Sequence, residues 1–281
     1  MGSVLRTDYF GNFVLIATNR KFRPKQFVRE DKHTSGKTVF APGNEHLTPP
    51  ETDREEKAGK WIMRSVPNKY SFVPDGQTHE VIIETPKQNQ RFSQFTPSHA
   101  HAVFAFYQKR IKAVTKHNHA YLFKNAGSYA GASIPHEHSQ LVTLARLPKE
   151  LRERKRVLDF KKIKQTEKEY SIKEDDTTFA YCPRASRFPL EAWIVCKREK
   201  SALANLSSRE MHSIATCALL VTKKLDKKLN KPSLNFFHYD CAPNYHIQII
   251  PRITTLAGME LGARTYINEI APEQAVRFYA T

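Results

Sequence analysis

The sequence predicts an α+β fold built by internal duplication, each half carrying strands, one helix and then a strand with a polar site. Three observations predict it. HEVIIET (79–85) and EAWIVCK (191–197) are short apolar segments with Glu80 set against Glu191. Each is followed by a stretch of 3.6-residue periodicity, at 97–115 and at 207–227. The pattern x-His-x-Gln then recurs, as His138 with Gln140 and as His246 with Gln248. Elements that return in the same order at nearly the same spacing mark a repeat. The predicted halves are 1–147, which ends after the first polar strand, and 148–281, which opens on a basic connecting helix.

Taken in order, Val14 to Ala17 reads as a strand and runs into the basic turn Asn19 to Pro24. There Arg20 and Arg23 are suited to pairing with phosphate. Residues 30–60 are polar and contain proline, which predicts a loop or arm. Trp61 to Val66 is a strand leading to Pro67-Asn68-Lys69-Tyr70, and 79–85 is the next strand. In 97–115, Val103, Phe104, Tyr107, Ile111 and Val114 share one helical face. Ala120 to Lys124 is a strand feeding a loop with Asn125, Gly127, Gly131 and Ser133, where backbone N–H groups can approach an anion.

The stretch GASIPHEHSQLVTL (131–144) follows that loop. Alternation along a strand places His136, His138 and Gln140 on one face, opposite Glu137, Ser139 and Leu141. Such polar groups are costly to bury without partners, so the cluster points to chemistry. Residues 149–173 are rich in Lys and Arg with Leu151, Leu158 and Ile163 interspersed, a pattern predicting a solvated amphipathic helix. The second half then repeats the first. A strand at 179–181, a turn at 186–189, the strand at 191–197 and a helix capped by Ser207 or Ser208 with Glu210 precede a strand at 235–238. The repeat closes on Asn244-Tyr245-His246-Ile247-Gln248.

Composition narrows the function. A hydrophobic content of 40% and an aromatic content of 11% predict a globular protein. The net charge of +17 favours anionic ligands. No nucleic-acid-binding motif accompanies the charge, so nucleic acid is a disfavoured partner. No apolar run reaches the ~20 residues of a membrane span, and the N-terminus lacks a signal-peptide pattern. Cys182, Cys196, Cys217 and Cys241 are widely spaced, which predicts reduced thiols and a cytoplasmic protein.

Several segments together carry a family resemblance: TNRKFRP, PGNEHLTPPE (42–51), VPNKYSF (66–72), HEVIIETP, FKNAGSYAGASIPHEHSQ (123–140), ASRFPLEAWI (185–194) and YHIQIIPRITTLAGMELG (245–262). The chain resembles the galactose-1-phosphate uridylyltransferase family of the histidine-triad superfamily, whose relatives include ADP-glucose phosphorylase-like enzymes. The resemblance implies two histidine-triad-like halves forming a continuous antiparallel half-barrel with helices packed outside, and a homodimer. It also implies double-displacement transfer of UMP between a UDP-hexose and a hexose 1-phosphate. By match, His138 is the nucleophile, with Gln140 and His136 beside it. Arg20, Arg23, Asn68, Asn125 and Ser133 fall at nucleotide and phosphate contacts, and Glu260 falls near the sugar. The alternatives are adenylyl transfer, from an ADP-sugar or a dinucleoside polyphosphate, and a non-catalytic nucleotide- or RNA-binding protein.

Many relatives hold a structural zinc with C-x-x-C, a later His and the first His of H-x-H. The matching positions here are Thr38, Ala41, Gln88 and His136. Thr, Ala and Gln do not replace thiolate and imidazole ligands, so no zinc is expected. A second metal cluster in some members uses an H-x-H that reads Asn244-x-His246 here, with His238 nearby. No cofactor is expected there either.

Overall fold

The computed structural model describes residues 3–19, 38–115, 119–157, 159–240 and 243–280. In chain order, strands β1 (Val4–Thr7) and β2 (Phe13–Ile16) form a hairpin. β3 (Asp53–Lys57), β4 (Lys60–Pro67) and β5 (His79–Ile83) precede helix α1 (Pro97–Val114). β6 (His119–Ala126) and β7 (His138–Leu144) complete the first half. Helices α2 (Lys149–Val157) and α3 (Phe160–Glu167) connect to β8 (Ser171–Glu174), β9 (Thr178–Tyr181) and β10 (Ala192–Cys196). The long helix α4 (Ser208–Leu229) is followed by β11 (Leu234–Tyr239) and β12 (His246–Pro251). α5 (Gly258–Ala263), β13 (Tyr266–Asn268) and α6 (Pro272–Ala280) end the described chain, with β13 parallel to β2.

Ten strands make one open antiparallel sheet in the order β3-β4-β5-β7-β6-β11-β12-β10-β9-β8. The order reads alike outward from the central β6–β11 pair, as a duplicated unit requires. Alternation gives each strand an apolar set for α1 and α4: Ile82, Leu122, Leu141, Ile194, Ile247 and Ile249 pack with Phe104, Tyr107, Ile214 and Ala218 in one core. Both helices start where the sequence places caps. Thr96 accepts the His99 N–H ahead of α1, and Ser207 forms a capping box with Glu210 on α4. No helix among the described residues is long and apolar enough to cross a membrane.

Register corrects the expected alignment of the halves. Val81 lies opposite Gln140, and Trp193 lies opposite Gln248. Glu191 therefore takes the place of His79, and Ala192 that of Glu80. A slip of one residue turns a side chain to the other face of a sheet. Glu80 accordingly faces Arg110 of α1 at 2.7 Å, while Glu191 accepts the Trp193 indole N–H at 2.7 Å.

Two further expectations change. β3 lies within the segment read as a loop or arm; its sequence, DREEK, has no apolar alternation because β3 is an edge strand carrying charge. The single basic helix is broken: Asp159 caps α3 by accepting the Lys161 N–H, and residues 171–174 form a strand. Nor is its face wholly solvated, since Leu151, Arg154, Ile163 and Glu167 are buried.

Candidate active site

β7 starts at His138, so His136 lies in the loop before the strand rather than on its face as expected. That loop is shaped by Gly127, whose φ is +88° and whose hydrogen faces Ser233; a Cβ there would lie 2.3 Å from the Ser233 hydroxyl. The loop and strand together aim the His138 ring. Its Nδ1 lies 2.7 Å from the carbonyl oxygen of His136. A carbonyl only accepts, so Nδ1 carries the proton and Nε2 carries the lone pair. Phe40 packs against the ring at 5.4 Å between centroids. Burial holds the His138 pKa below the usual histidine value, keeping the imidazole neutral.

Gln140, two residues on, shares the face of His138. Its Oε1 lies 2.9 Å from Nε2 of His79, and the same nitrogen lies 3.0 Å from Nδ2 of Asn68. The Nε2–H tautomer of His79 donates to Oε1 and leaves the Gln140 NH2 as a donor for an incoming oxygen; one ring nitrogen does not also accept from Asn68, so the approach of Nδ2 is a neighbour contact and not a second hydrogen bond. His79 was not among the residues singled out by sequence. Its signal is present in the alternation with Val81 and Ile83, but the pairing of β5 with β7 is needed to read it.

The structure thus brings His138, Gln140 and Asn68 together, and adds His79. Both ring nitrogens of His136 are engaged, Nδ1 with the Thr38 hydroxyl at 2.9 Å and Nε2 with the Thr85 carbonyl at 2.7 Å. What His136 offers the site is its carbonyl. Asn125 accepts from the Asn235 amide at 2.8 Å at the centre of the sheet, beside the glycine loop. Ser133 is exposed on that loop. Glu260 accepts the Ala257 N–H and caps its own short helix, with no contact to the His138 cluster among the described residues. Arg20 and Arg23 lie outside the described residues.

Neither metal set fits its metal. Thr38, Gln88 and His136 are tied to one another by hydrogen bonds, since the Thr38 N–H also donates to Gln88 Oε1 at 3.1 Å. In the second half, His238 pairs with Ile247 while His246 pairs with Tyr239, so the two imidazoles point to opposite faces of the sheet. The Asn244 amide donates to the carbonyls of Cys196 and Arg198 at 3.0 and 2.9 Å. His246 faces a buried cation instead. The Arg154 guanidinium sits over Tyr239 at 4.0 Å and Phe10 at 4.3 Å, and burial first, then this charge, opposes protonation of His246. His238 and His246, the two imidazoles nearest the second metal position, therefore do not converge on one ion.

The second half keeps the outline of the site but not its access. His246 Nδ1 lies 3.2 Å from the Asn244 carbonyl, the counterpart of the His138 contact. Its ring is stacked between Trp193 and Tyr239, beneath α2, and His246 and Gln248 are almost wholly buried. A cavity of about 200 Å³ opens nearby among Tyr9, Glu167, Arg187 and Trp193. Its carboxylates are already paired, Asp8 with the Phe10 and Asn12 N–H groups, Glu167 with the Tyr9 hydroxyl and Glu191 with the Trp193 indole. The arrangement with a free imidazole nitrogen beside a held amide donor is at His138.

Comparison with known proteins finds relatives in sequence and in fold. Residues 49–147 match a family described as the N-terminal domain of a domain of unknown function, DUF4931. The chain is 26% identical to ADP-glucose phosphorylase of Arabidopsis thaliana, over 97% of this chain and 91% of that protein. It is 25% identical to galactose-1-phosphate uridylyltransferase of Thermotoga maritima, over 70% of this chain and 72% of that one. The fold matches a crystal structure of an Arabidopsis thaliana ADP-glucose phosphorylase with bound ADP-glucose at a TM-score of 0.87, with 24% identity and 99% of each chain covered. A structure described as a GalT-like protein of the same plant matches at a TM-score of 0.80 with 25% identity, covering 99% of this chain and 98% of that one.

Proposed function

We propose that the chain is a nucleotidyltransferase or phosphorylase of the galactose-1-phosphate uridylyltransferase type that transfers an adenylyl group from an ADP-hexose through His138. The observation that carries this reading is the likeness to ADP-glucose phosphorylase over 97% of the chain. It favours adenylyl transfer over the UDP-hexose reading drawn from the sequence.

The chemistry follows from the ring's orientation. The Nε2 lone pair of His138 attacks the α-phosphorus. An N–P bond forms, the bond from phosphorus to the bridging oxygen breaks, and hexose 1-phosphate leaves with the electron pair. Nδ1 keeps its proton on the His136 carbonyl. The Gln140 amide donates to a phosphoryl oxygen as charge develops there. An oxygen of inorganic phosphate then attacks the same phosphorus, the N–P electrons return to Nε2, and ADP departs. Asn68 and the glycine loop with Asn125 and Ser133 bind the phosphates. Arg20 and Arg23 supply positive charge, and Glu260 contacts the sugar. The two halves, 1–147 and 148–281, form one enzyme with a single competent site, active as a cytoplasmic homodimer.

Incubation of the pure protein with ADP-, UDP- and GDP-glucose, followed by intact mass, tests the reading. An adenylyl adduct that is absent from His138→Ala is expected. A uridylyl adduct alone would return the UDP-hexose reading. No adduct with any sugar nucleotide, together with salt-sensitive RNA binding, would favour a non-catalytic binding protein.

A further inference from the structure

Behind β7, on the side that faces α1, five buried polar side chains form one network. The Lys124 ammonium of β6 pairs with Glu84 and, at 2.8 Å, with Glu137. It lies between the rings of Phe92 and Phe236, at 4.7 and 5.2 Å from their centroids. The other Glu84 oxygen accepts from Ser139 Oγ at 2.6 Å and from the Tyr107 hydroxyl of α1. Tyr107 and Ser139 are themselves 2.8 Å apart. None of the five is more than 7% exposed.

Glu137 and Ser139 are the two chain neighbours of His138. Alternation sends both to the face opposite the reactive ring. One is tied to Glu84 through Lys124 and the other directly. The Glu84 N–H also donates to the Glu137 carbonyl at 3.2 Å, which fixes the chain beside the peptide whose carbonyl holds His138 Nδ1. Apolar residues would fill this layer without the desolvation cost of three charges. What a closed polar network adds is a single geometry.

We propose that Glu84, Lys124, Glu137, Ser139 and Tyr107 form a clamp that positions the His138 imidazole for attack on phosphorus, making Glu137 and Ser139 positioning residues for nucleotidyl transfer. The inference rests on the reading of His138 as the nucleophile. Near-attack geometry is sensitive to small displacements: a shift of about 1 Å can cost a factor of roughly a hundred in rate. The clamp touches no substrate, so it acts on the chemical step and leaves substrate affinity alone.

The test is single-turnover adenylylation of the full chain by ADP-glucose, read by intact mass, with KM measured alongside. Glu137→Ala and Ser139→Ala should slow adduct formation by roughly ten- to a hundredfold with KM unchanged. Glu137→Gln keeps an oxygen for Lys124 and should restore most of the rate. Ser139→Ala removes one hydroxyl only, so it keeps the test open where Glu137→Ala does not fold. Wild-type rates in folded Glu137→Ala and Ser139→Ala would overturn the clamp and leave the nucleophile standing. Equal loss in Glu137→Gln and Glu137→Ala would also overturn it. Absence of any adduct on the wild-type protein would overturn the nucleophile and the clamp together.

Discussion

Nε2 of His79 and Oε1 of Gln140 lie 2.9 Å apart, joining neighbouring strands on the face that carries His138. The contact selects which end of the Gln140 amide is free. Removing the amide should cost about a hundredfold or more in kcat, the usual loss for a positioned donor. His79→Ala leaves the amide in place but unheld, and roughly a tenfold loss is expected. Steady-state kinetics with circular dichroism as a folding control measures both. Full turnover by Gln140→Ala would remove it from the mechanism.

Stability should fall as pH drops below the usual histidine range. Burial holds His238 and His246 down to about 3, whereas the unfolded chain protonates them near 6.5. Between those values the unfolded state binds more protons, so acid favours unfolding. Each histidine contributes a slope of up to about 1.4 kcal/mol per pH unit. Asp240, pushed up to about 6 by burial, works the other way from about 3.8 to 6 and offsets one of them. Urea denaturation across pH 4 to 7 should show the net loss toward acid, and His246→Asn should flatten it. A pH-independent midpoint would contradict the assignment.

Much of this was legible in the residues, and the limits have physical causes. The polar strands, both long helices and the Ser207 cap follow from periodicity and capping chemistry, which are local. The role of His79 and the pairing of Glu191 with the place of His79 depend on strand register, which local pattern does not carry. The charged strand Asp53–Lys57 is an edge strand whose side chains largely face solvent, so it lacks the alternation that marks a half-buried strand. Arg154 looked like one more surface charge because seven basic residues crowd the segment from Lys149 to Lys162. Only the fold of α2 onto β11 and β10 reveals it as a buried cation.

That cation supports a prediction about stability. Among the described residues, Nε and Nη1 of Arg154 have no hydrogen-bond partner, and Nη2 donates to Glu150 at 3.1 Å. A charge so poorly paired recovers little of its desolvation cost from hydrogen bonds, and its aromatic contacts return only part of the rest. Arg154→Met should therefore be neutral or stabilising by ~1 kcal/mol, as for buried ion pairs replaced by packed apolar groups. Adduct formation on His138 should be unaffected. A loss of several degrees in Tm would show that the guanidinium is needed where it stands.

The hydrogen bonds around His136 allow the missing zinc site to be tested by rebuilding it. The Thr38 hydroxyl meets Nδ1 of His136 at 2.9 Å, and the Thr38 N–H meets Gln88 at 3.1 Å. The Ala41 N–H donates back to the Thr38 carbonyl at 3.0 Å, a turn of the kind that brings two side chains three residues apart toward one point. Hydrogen bonds here do the fastening that the family resemblance implies for thiolates and a metal. For the wild-type protein, elemental analysis should find no stoichiometric zinc, and EDTA should move neither Tm nor adduct formation. Thr38→Cys, Ala41→Cys and Gln88→His together supply two thiolates and a second imidazole beside His136, a four-ligand set that zinc accepts. The triple variant should bind one zinc per chain, with a Tm gain that EDTA reverses. Stoichiometric zinc in the wild type, or none in the triple variant, would mean that these four positions do not converge as the hydrogen bonds indicate.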